Sequence, residues 1–311
     1  VRIAIFGTGG AGGYFGTRLA YAGEDIVFIA RGAHLQAIKE QGLSLEDSSG
    51  EIVVHSMATD DPAQVGVVDA VIVGVKTWQV TDAAQAMRPM IGPQTLVIPL
   101  QNGVEAAAQL RAELSANNVL CGLCRTFSWV ASPGRIRSIG ETHLIQFGEL
   151  DNQPSARIER LKQIFERAGV NVEVPLDIRA ALWEKFLIVV PYGGVGAVTR
   201  APVGIIRSLP ETRMLLERGM KEILAIARAR QVSLPDEIIE KSMKFIDSLN
   251  FSAVTSLHRD ISAGKPSELD AWNGAVVRLG KEVGLPTPLH EFLYHSLLPL
   301  ELRARGRVQF S

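Results

Sequence analysis

Gly7, Gly9 and Gly12 have the spacing G-x-G-x-x-G close to the start of the chain. They follow the short apolar run Arg2–Phe6 and precede a helix-compatible stretch, residues 14–23 (YFGTRLAYAG), after which residues 25–31 (DIVFIAR) read as a second strand. Strand, glycine turn, helix and strand, in that order, form the unit that holds a dinucleotide pyrophosphate. Gly7 permits the tight turn, Gly9 leaves the backbone open to the pyrophosphate, and Gly12 lets the helix lie close to the strand. The helix N-terminus offers N–H groups that no preceding turn uses. The stretch Gly7, Thr8, Gly9, Gly10, Ala11 and Gly12 is therefore the expected cofactor cradle.

The end of the second strand bears on which dinucleotide is held. An acid there binds the adenosine ribose hydroxyls of NAD. This chain has Phe28-Ile29-Ala30-Arg31-Gly32 instead. A guanidinium at Arg31 suits a 2'-phosphate, which a carboxylate would repel, so NADP (NADPH) is expected over NAD. Residues 67–75 (VVDAVIVGV) and 95–99 (TLVIP) read as further buried parallel strands, ending at Lys76 and at Gln101-Asn102-Gly103. Polar residues just past such strands sit at the carboxyl edge of the sheet, where ligands bind. Lys76 there meets a phosphate or ribose, or is a surface lysine; Asn102 bonds the nicotinamide ribose or the substrate, or belongs to an Asn-Gly turn.

The elements that must carry these residues fall into two groups. Residues 119–130 are apolar; residues 135–139 and 143–147, after the turn Ser132-Pro133-Gly134, have strand character and should finish the sheet as a hairpin or edge pair. An amphipathic helix over residues 155–168 and a short strand over 170–174 follow, and Pro175 closes the first domain. Beyond it the pattern is helical throughout: residues 178–189, 211–230, 235–249, 253–263, 268–283 and 289–305. The fold class is thus α/β, an N-terminal Rossmann-type dinucleotide-binding domain (1–174) followed by an all-helical C-terminal domain (175–311).

Composition is that of a globular chain of 311 residues, 47% hydrophobic and 21% charged. Thirty-two basic residues against 33 acidic ones give a net charge of -1, which offers nothing to nucleic acid or an anionic membrane surface. Residues 186–198 are too short an apolar run to span a bilayer and contain Pro191, so no membrane segment is expected. No signal peptide is visible, although the chain lacks an initiator Met. Cys121 and Cys124 cannot supply a zinc site between them and read as reduced thiols in a core, in keeping with a cytoplasmic protein; no metal is expected. Helical second domains often contribute to dimers, so a homodimer is expected.

Three polar groups stand out in the helical half: Trp183-Glu184-Lys185, the Ser256–Asp260 segment, and Ser267-Glu268-Leu269-Asp270 leading to Asn273. By themselves they read as helix-surface and helix-start residues. Taken with the glycine turn, Arg31, the run Val75-Lys76-Thr77-Trp78-Gln79, Gln101-Asn102-Gly103 and Leu182-Trp183-Glu184-Lys185-Phe186, the chain resembles the ketopantoate reductase (2-dehydropantoate 2-reductase) family over nearly its whole length. The resemblance implies an NADPH-dependent reduction of a 2-keto acid, ketopantoate, to the 2-hydroxy acid pantoate, on the way to pantothenate. It implies a catalytic lysine at Lys185, a substrate-orienting glutamate at Glu268, a phosphate-binding arginine at Arg31, and cofactor or substrate contacts at Lys76, Asn102 and Ser256. Family members carry asparagines four and eight residues after the lysine; here those positions are Val189 and Gly193. A site stripped of those amides points to a less polar keto acid or ketone as the alternative substrate. A non-catalytic dinucleotide sensor is the alternative from another class.

Overall fold

The structure is a computed structural model that describes residues 1–310, residues 141–142 by their backbone alone. The chain divides into two compact units, one of Val1–Gln101 with Glu105–Ile178, the other of Asn102–Val104 with the chain from Arg179 onward.

The first unit is built on five parallel strands: β1 (Arg2–Phe6), β2 (Asp25–Ile29), β5 (Met57–Thr59), β6 (Ala70–Val73) and β7 (Leu96–Pro99), in the spatial order β5-β2-β1-β6-β7. Strands follow one another outward from β1 to β5, then the chain returns past β1 to β6. That reversal beside β1 is where ligands bind in open parallel sheets. Both faces are covered, as parallel sheets require. Ile3 and Ile5 pack with Phe15 and Leu19 of α1 (Gly10–Tyr21), whereas Ala4 and Phe6 face the other core with Val80 and Ala84 of α3 (Val80–Ala86) and Leu110 of α4 (Ala106–Glu113). Helix α2 (Gly32–Gln41) follows β2 directly.

A second sheet lies outside what the sequence pattern predicts. β3 (Leu43–Asp47) and β4 (Gly50–Val54) form a hairpin, and β3 pairs with β9 (Arg135–Gly148), which also pairs with β8 (Cys121–Ser132) and β10 (Asn171–Glu173). The segments 135–139 and 143–147 are therefore one long strand in a separate sheet, not the closing edge of the first. Leu43, Leu45, Ile136, Ile145 and Phe147 from this sheet share one core with α1 and with Ile158, Leu161 and Phe165 of α5 (Ala156–Arg167). Burying that apolar set against α1 is what fixes the sheet's place. Cys121 and Cys124 are buried free thiols on β8.

The second unit is helical: α6 (Ile178–Thr199), α7 (Val203–Ser208), α8 (Pro210–Ala229), α9 (Ile238–Ser248), α10 (Ser256–Ser262), α11 (Ala275–Glu282) and α12 (Pro288–Ala304). Helix α6 runs a full 22 residues, ten beyond the residue-189 end read from sequence, straight through Pro191. Packing overrides propensity here. Phe186, Leu187, Val190, Val195 and Ala197 are all sealed in one core, and Gly219 of α8 leaves room for the Pro191 ring, whose Cβ would lie 2.8 Å from any Cβ at 219. By length and composition α6 is able to cross a membrane, but 72% of its most apolar window is buried inside the protein, which marks it as a core helix. The start of α12 is held by Glu222 of α8, whose carboxylate accepts the backbone N–H groups of Leu289 and His290 at 2.9 and 3.2 Å and contacts His290 Nδ1 at 2.6 Å.

Candidate active site

In the first unit, the turn after β1 closes on itself. The N–H groups of Gly7 and Thr8 both donate to the Ile29 carbonyl, at 3.1 and 3.2 Å. Gly7 takes φ +98°, open to glycine at little cost, and a Cβ there would lie 2.6 Å from the Val75 nitrogen. A Cβ at Gly12 would lie 2.2 Å from the Gly7 carbonyl oxygen, so helix α1 approaches the turn as closely as a bare Cα allows. Gly9 differs from both: around it the nearest atom to an added Cβ is the Gly74 carbonyl oxygen, 4.0 Å away. Nothing in the protein's own packing demands glycine at that position. The open space at the head of α1, whose Gly9 N-cap has no side-chain cap, is the shape a pyrophosphate requires. Gly10 is accessible on one side only, because the Ser128 carbonyl of β8 occupies the position of its Cβ, and Ala11 is partly accessible. The Thr8 hydroxyl is buried and donates to the Ile29 carbonyl at 3.2 Å, as the Thr8 N–H also does, so both Thr8 donors are engaged within the protein.

Arg31 follows β2 as the N-cap residue of α2 and is exposed. No carboxylate stands on the strand end beside it, since residues 28–30 are Phe28, Ile29 and Ala30. Lys76, half-buried after β6, has its ammonium 5.9 Å from the centre of the Trp78 ring. These groups share the carboxyl edge of one sheet because β1, β2 and β6 run parallel.

No motif in the sequence singles out His34. Its Nε2–H donates to the Thr8 carbonyl at 2.7 Å and its Nδ1 accepts the Gly134 N–H at 3.0 Å, so the neutral ring ties the glycine turn to the β8–β9 turn. Burial pushes its pKa below the ordinary 6.5, against the raising effect of the Thr8 carbonyl. An imidazole with a depressed folded value takes up protons more readily when unfolded, so its contribution is complete above 6.5 and is lost as pH falls through the folded value. Melting temperature should therefore drop between neutral pH and pH ~5, on the order of 1–2 °C for a loss of about 1 kcal/mol in a chain of this size. His34→Gln should flatten that slope in thermal melts, and an identical slope in both proteins rules His34 out as its source.

The other predicted residues lie in the second unit. Lys185 is half-buried on α6, one turn before Val189, with Gly193 a further turn on. Beside it Glu184 pairs with Lys241 at 3.0 Å, and Trp183 and Phe186 meet edge to face. Ser256 opens α10, which Thr255 caps by accepting the His258 N–H at 3.2 Å. Glu268 is buried and immediately precedes α-turned Leu269 and a π-helical turn, Asp270–Gly274. Turns of this kind widen a helix and recur at functional sites. Asn102 and Gly103 come to the same segment: a Cβ at Gly103 would lie 3.3 Å from the Ala271 carbonyl oxygen. Inside this unit the segment Asn102–Val104 thus meets the π-turn that Glu268 precedes and to which Asn273 belongs. Asn273 is fully enclosed.

The same turn explains the missing amide at residue 193. A Cβ there would lie 2.6 Å from Cζ3 of Trp272 and 3.3 Å from the Thr255 hydroxyl. The buried indole occupies the space of a side chain on α6, and Val189 leaves an aliphatic surface a turn earlier. No motif marks Trp272 in the sequence, since a tryptophan on an apolar helical stretch reads as ordinary core.

A five-stranded parallel sheet with its glycine turn, followed by a helical unit, defines a Rossmann-type architecture of the kind that binds dinucleotides. Residues 3–152 match the family model "Ketopantoate reductase PanE/ApbA", and residues 177–301 match its C-terminal counterpart. The chain belongs to the ketopantoate reductase (PanE/ApbA) family. It is 29% identical to the 2-dehydropantoate 2-reductase of Mesorhizobium japonicum, covering 93% of this chain and 94% of that one. It is 26% identical to the uncharacterized oxidoreductase YkpB of Bacillus subtilis, covering 96% and 98%. Among solved structures, the PanE/ApbA family ketopantoate reductase from Ralstonia eutropha superposes with a TM-score of 0.90 at 33% identity, covering 98% of this chain and 100% of that one.

Proposed function

We propose that the protein uses NADPH to reduce a 2-keto acid to the 2-hydroxy acid, with ketopantoate to pantoate as the leading reaction. The observation that carries the dinucleotide is the open space at Gly9 between two glycines whose positions are filled by protein. Support for ketopantoate comes from the names of the relatives, as in the enzyme of Mesorhizobium japonicum. A bound reduced nicotinamide supplies hydride to the carbonyl carbon. The chain's own part is electrostatic. Lys185 places an ammonium where the carbonyl oxygen gains negative charge and then gives that oxygen a proton. Glu268 accepts a hydrogen bond from a substrate hydroxyl or holds Lys185 in place, Asn102 orients the substrate and nicotinamide ribose, and Ser256 bonds the substrate carboxylate. Backbone N–H groups over Gly9–Gly12 take the pyrophosphate, with Lys76 adding positive charge at the same sheet edge.

A second reading keeps this chemistry and changes the acceptor. Val189 and the Gly193–Trp272 contact line α6 with apolar surface where hydroxyl-binding amides would favour ketopantoate. A 2-keto acid with an aliphatic or aromatic substituent suits that surface better. NADPH oxidation measured across ketopantoate and a panel of such keto acids decides between the two. Absence of turnover with every member, despite tight NADPH binding, would leave only a sensor.

The NADP assignment has its own test. Arg31→Ala should weaken NADPH relative to NADH by roughly ten- to a hundredfold, the worth of a charge-assisted hydrogen bond. An unchanged ratio of the two affinities in a binding titration removes Arg31 from the 2'-phosphate.

A further inference from the structure

Ser267 and Glu301 meet deep in the helical unit, 1% and 4% exposed. The Glu301 carboxylate accepts the Ser267 N–H at 3.0 and 3.2 Å from its two oxygens and also accepts the Ser267 hydroxyl. Arg305 donates Nε to the same carboxylate at 2.6 Å and an Nη2 hydrogen to the Ser267 carbonyl at 3.1 Å. The Ser267 hydroxyl oxygen in turn accepts the Leu269 N–H at 3.3 Å. Both polar backbone groups of residue 267 and the N–H of residue 269 are thereby fixed, on either side of Glu268.

This is a costly way to begin a helix. A buried carboxylate persists only where donors compensate its lost hydration. Glu301 also lies in the last turn of α12, the end at which the helix dipole opposes negative charge. A serine cap alone would start the following helix without either penalty. What the extra network adds is a rigid peptide at one residue, Glu268.

We propose that Glu301 and Arg305 are positioning residues: from the end of α12 they clamp the Ser267–Leu269 backbone and so aim the Glu268 carboxylate at the substrate. This rests on the reading of Glu268 as the substrate-orienting group. In the full-length protein, Glu301→Gln and Ser267→Ala are compared with Glu268→Gln and with the double variant Glu268→Gln/Glu301→Gln, by steady-state NADPH oxidation with ketopantoate or the best keto acid of the panel. Glu301→Gln should raise KM for the keto acid roughly ten- to a hundredfold, with a smaller change in kcat and an unaltered KM for NADPH, since misplacement of a binding group is what it causes. Ser267→Ala, which keeps the backbone N–H bond, should shift the same constant less and carries the test if Glu301→Gln does not fold. In the double variant the Glu301 change should add little, because its effect passes through Glu268. A merely structural role predicts a lower melting temperature and fewer active molecules with the keto-acid KM intact. Wild-type keto-acid KM in folded Glu301→Gln and in Ser267→Ala, or full multiplication in the double variant, overturns the clamp alone. Wild-type KM in Glu268→Gln overturns the reading of Glu268, and the clamp's purpose with it.

Discussion

Lys185→Ala should lower turnover of the keto acid by roughly a hundredfold or more, the usual range for a general acid, while NADPH binds as before. The reason lies in where the charge is needed. Hydride arriving at a carbonyl carbon leaves an alkoxide, and an ammonium already in place costs no reorganisation at that moment. Alanine leaves water to do the same work. The glycine turn and Arg31 are on other elements, so the cofactor's phosphates lose nothing. Lys185→Arg should fall between, since the guanidinium keeps the charge but scarcely gives up a proton. Rapid-mixing measurement of hydride transfer, with fluorescence titration of NADPH, checks both halves. Turnover within a few-fold of wild type in the alanine variant would exclude Lys185 as the acid.

Gly193→Asn should destabilise the fold by about 2–3 kcal/mol, the cost of overpacking a filled core. Helix propensity argues the other way, since replacing a mid-helix glycine gains up to about 1 kcal/mol. Contact decides the sign: the first added carbon already stands 2.6 Å from the Trp272 ring, and the indole is buried. Trp272→Leu should be harmful alone, by leaving a cavity, yet should recover part of the loss when combined with Gly193→Asn. Denaturant melts of the three variants measure this. Additive losses in the double variant would show that the two residues do not compete for the same space.

Much of the nucleotide-binding unit was legible from local pattern. Apolar runs ending in Gly7, Arg31, Lys76 and Gln101 have a period and a boundary that depend on nearest neighbours only. The β3–β4 hairpin was not legible, because Leu43, Leu45 and Val54 gain meaning only once β9 and α1 are beside them. The length of α6 was hidden for a related reason: Pro191 and the glycines of 193–196 signal a break locally, and Gly219, Trp272 and Asn273, remote in sequence, reverse that signal. Of the proposed site, Lys185, Glu268 and Ser256 are visible through family resemblance, not through any spacing of their own. His34, Trp272 and Glu301 act through contacts to residues far along the chain, and no short motif encodes them.

The three residues Asn102–Val104 count with the helical unit although the chain on either side counts with the sheet. A linear fragment that starts at residue 179 is therefore missing a piece of its own interior. Val104 packs on the helical core together with Ala271, and without it the fragment would present bare hydrocarbon at the π-turn. Anyone wishing to dissect this protein would need to graft that tripeptide back, and proteolytic nicking near residue 104 should loosen the helical half as well as the sheet that the cut strand ends belong to.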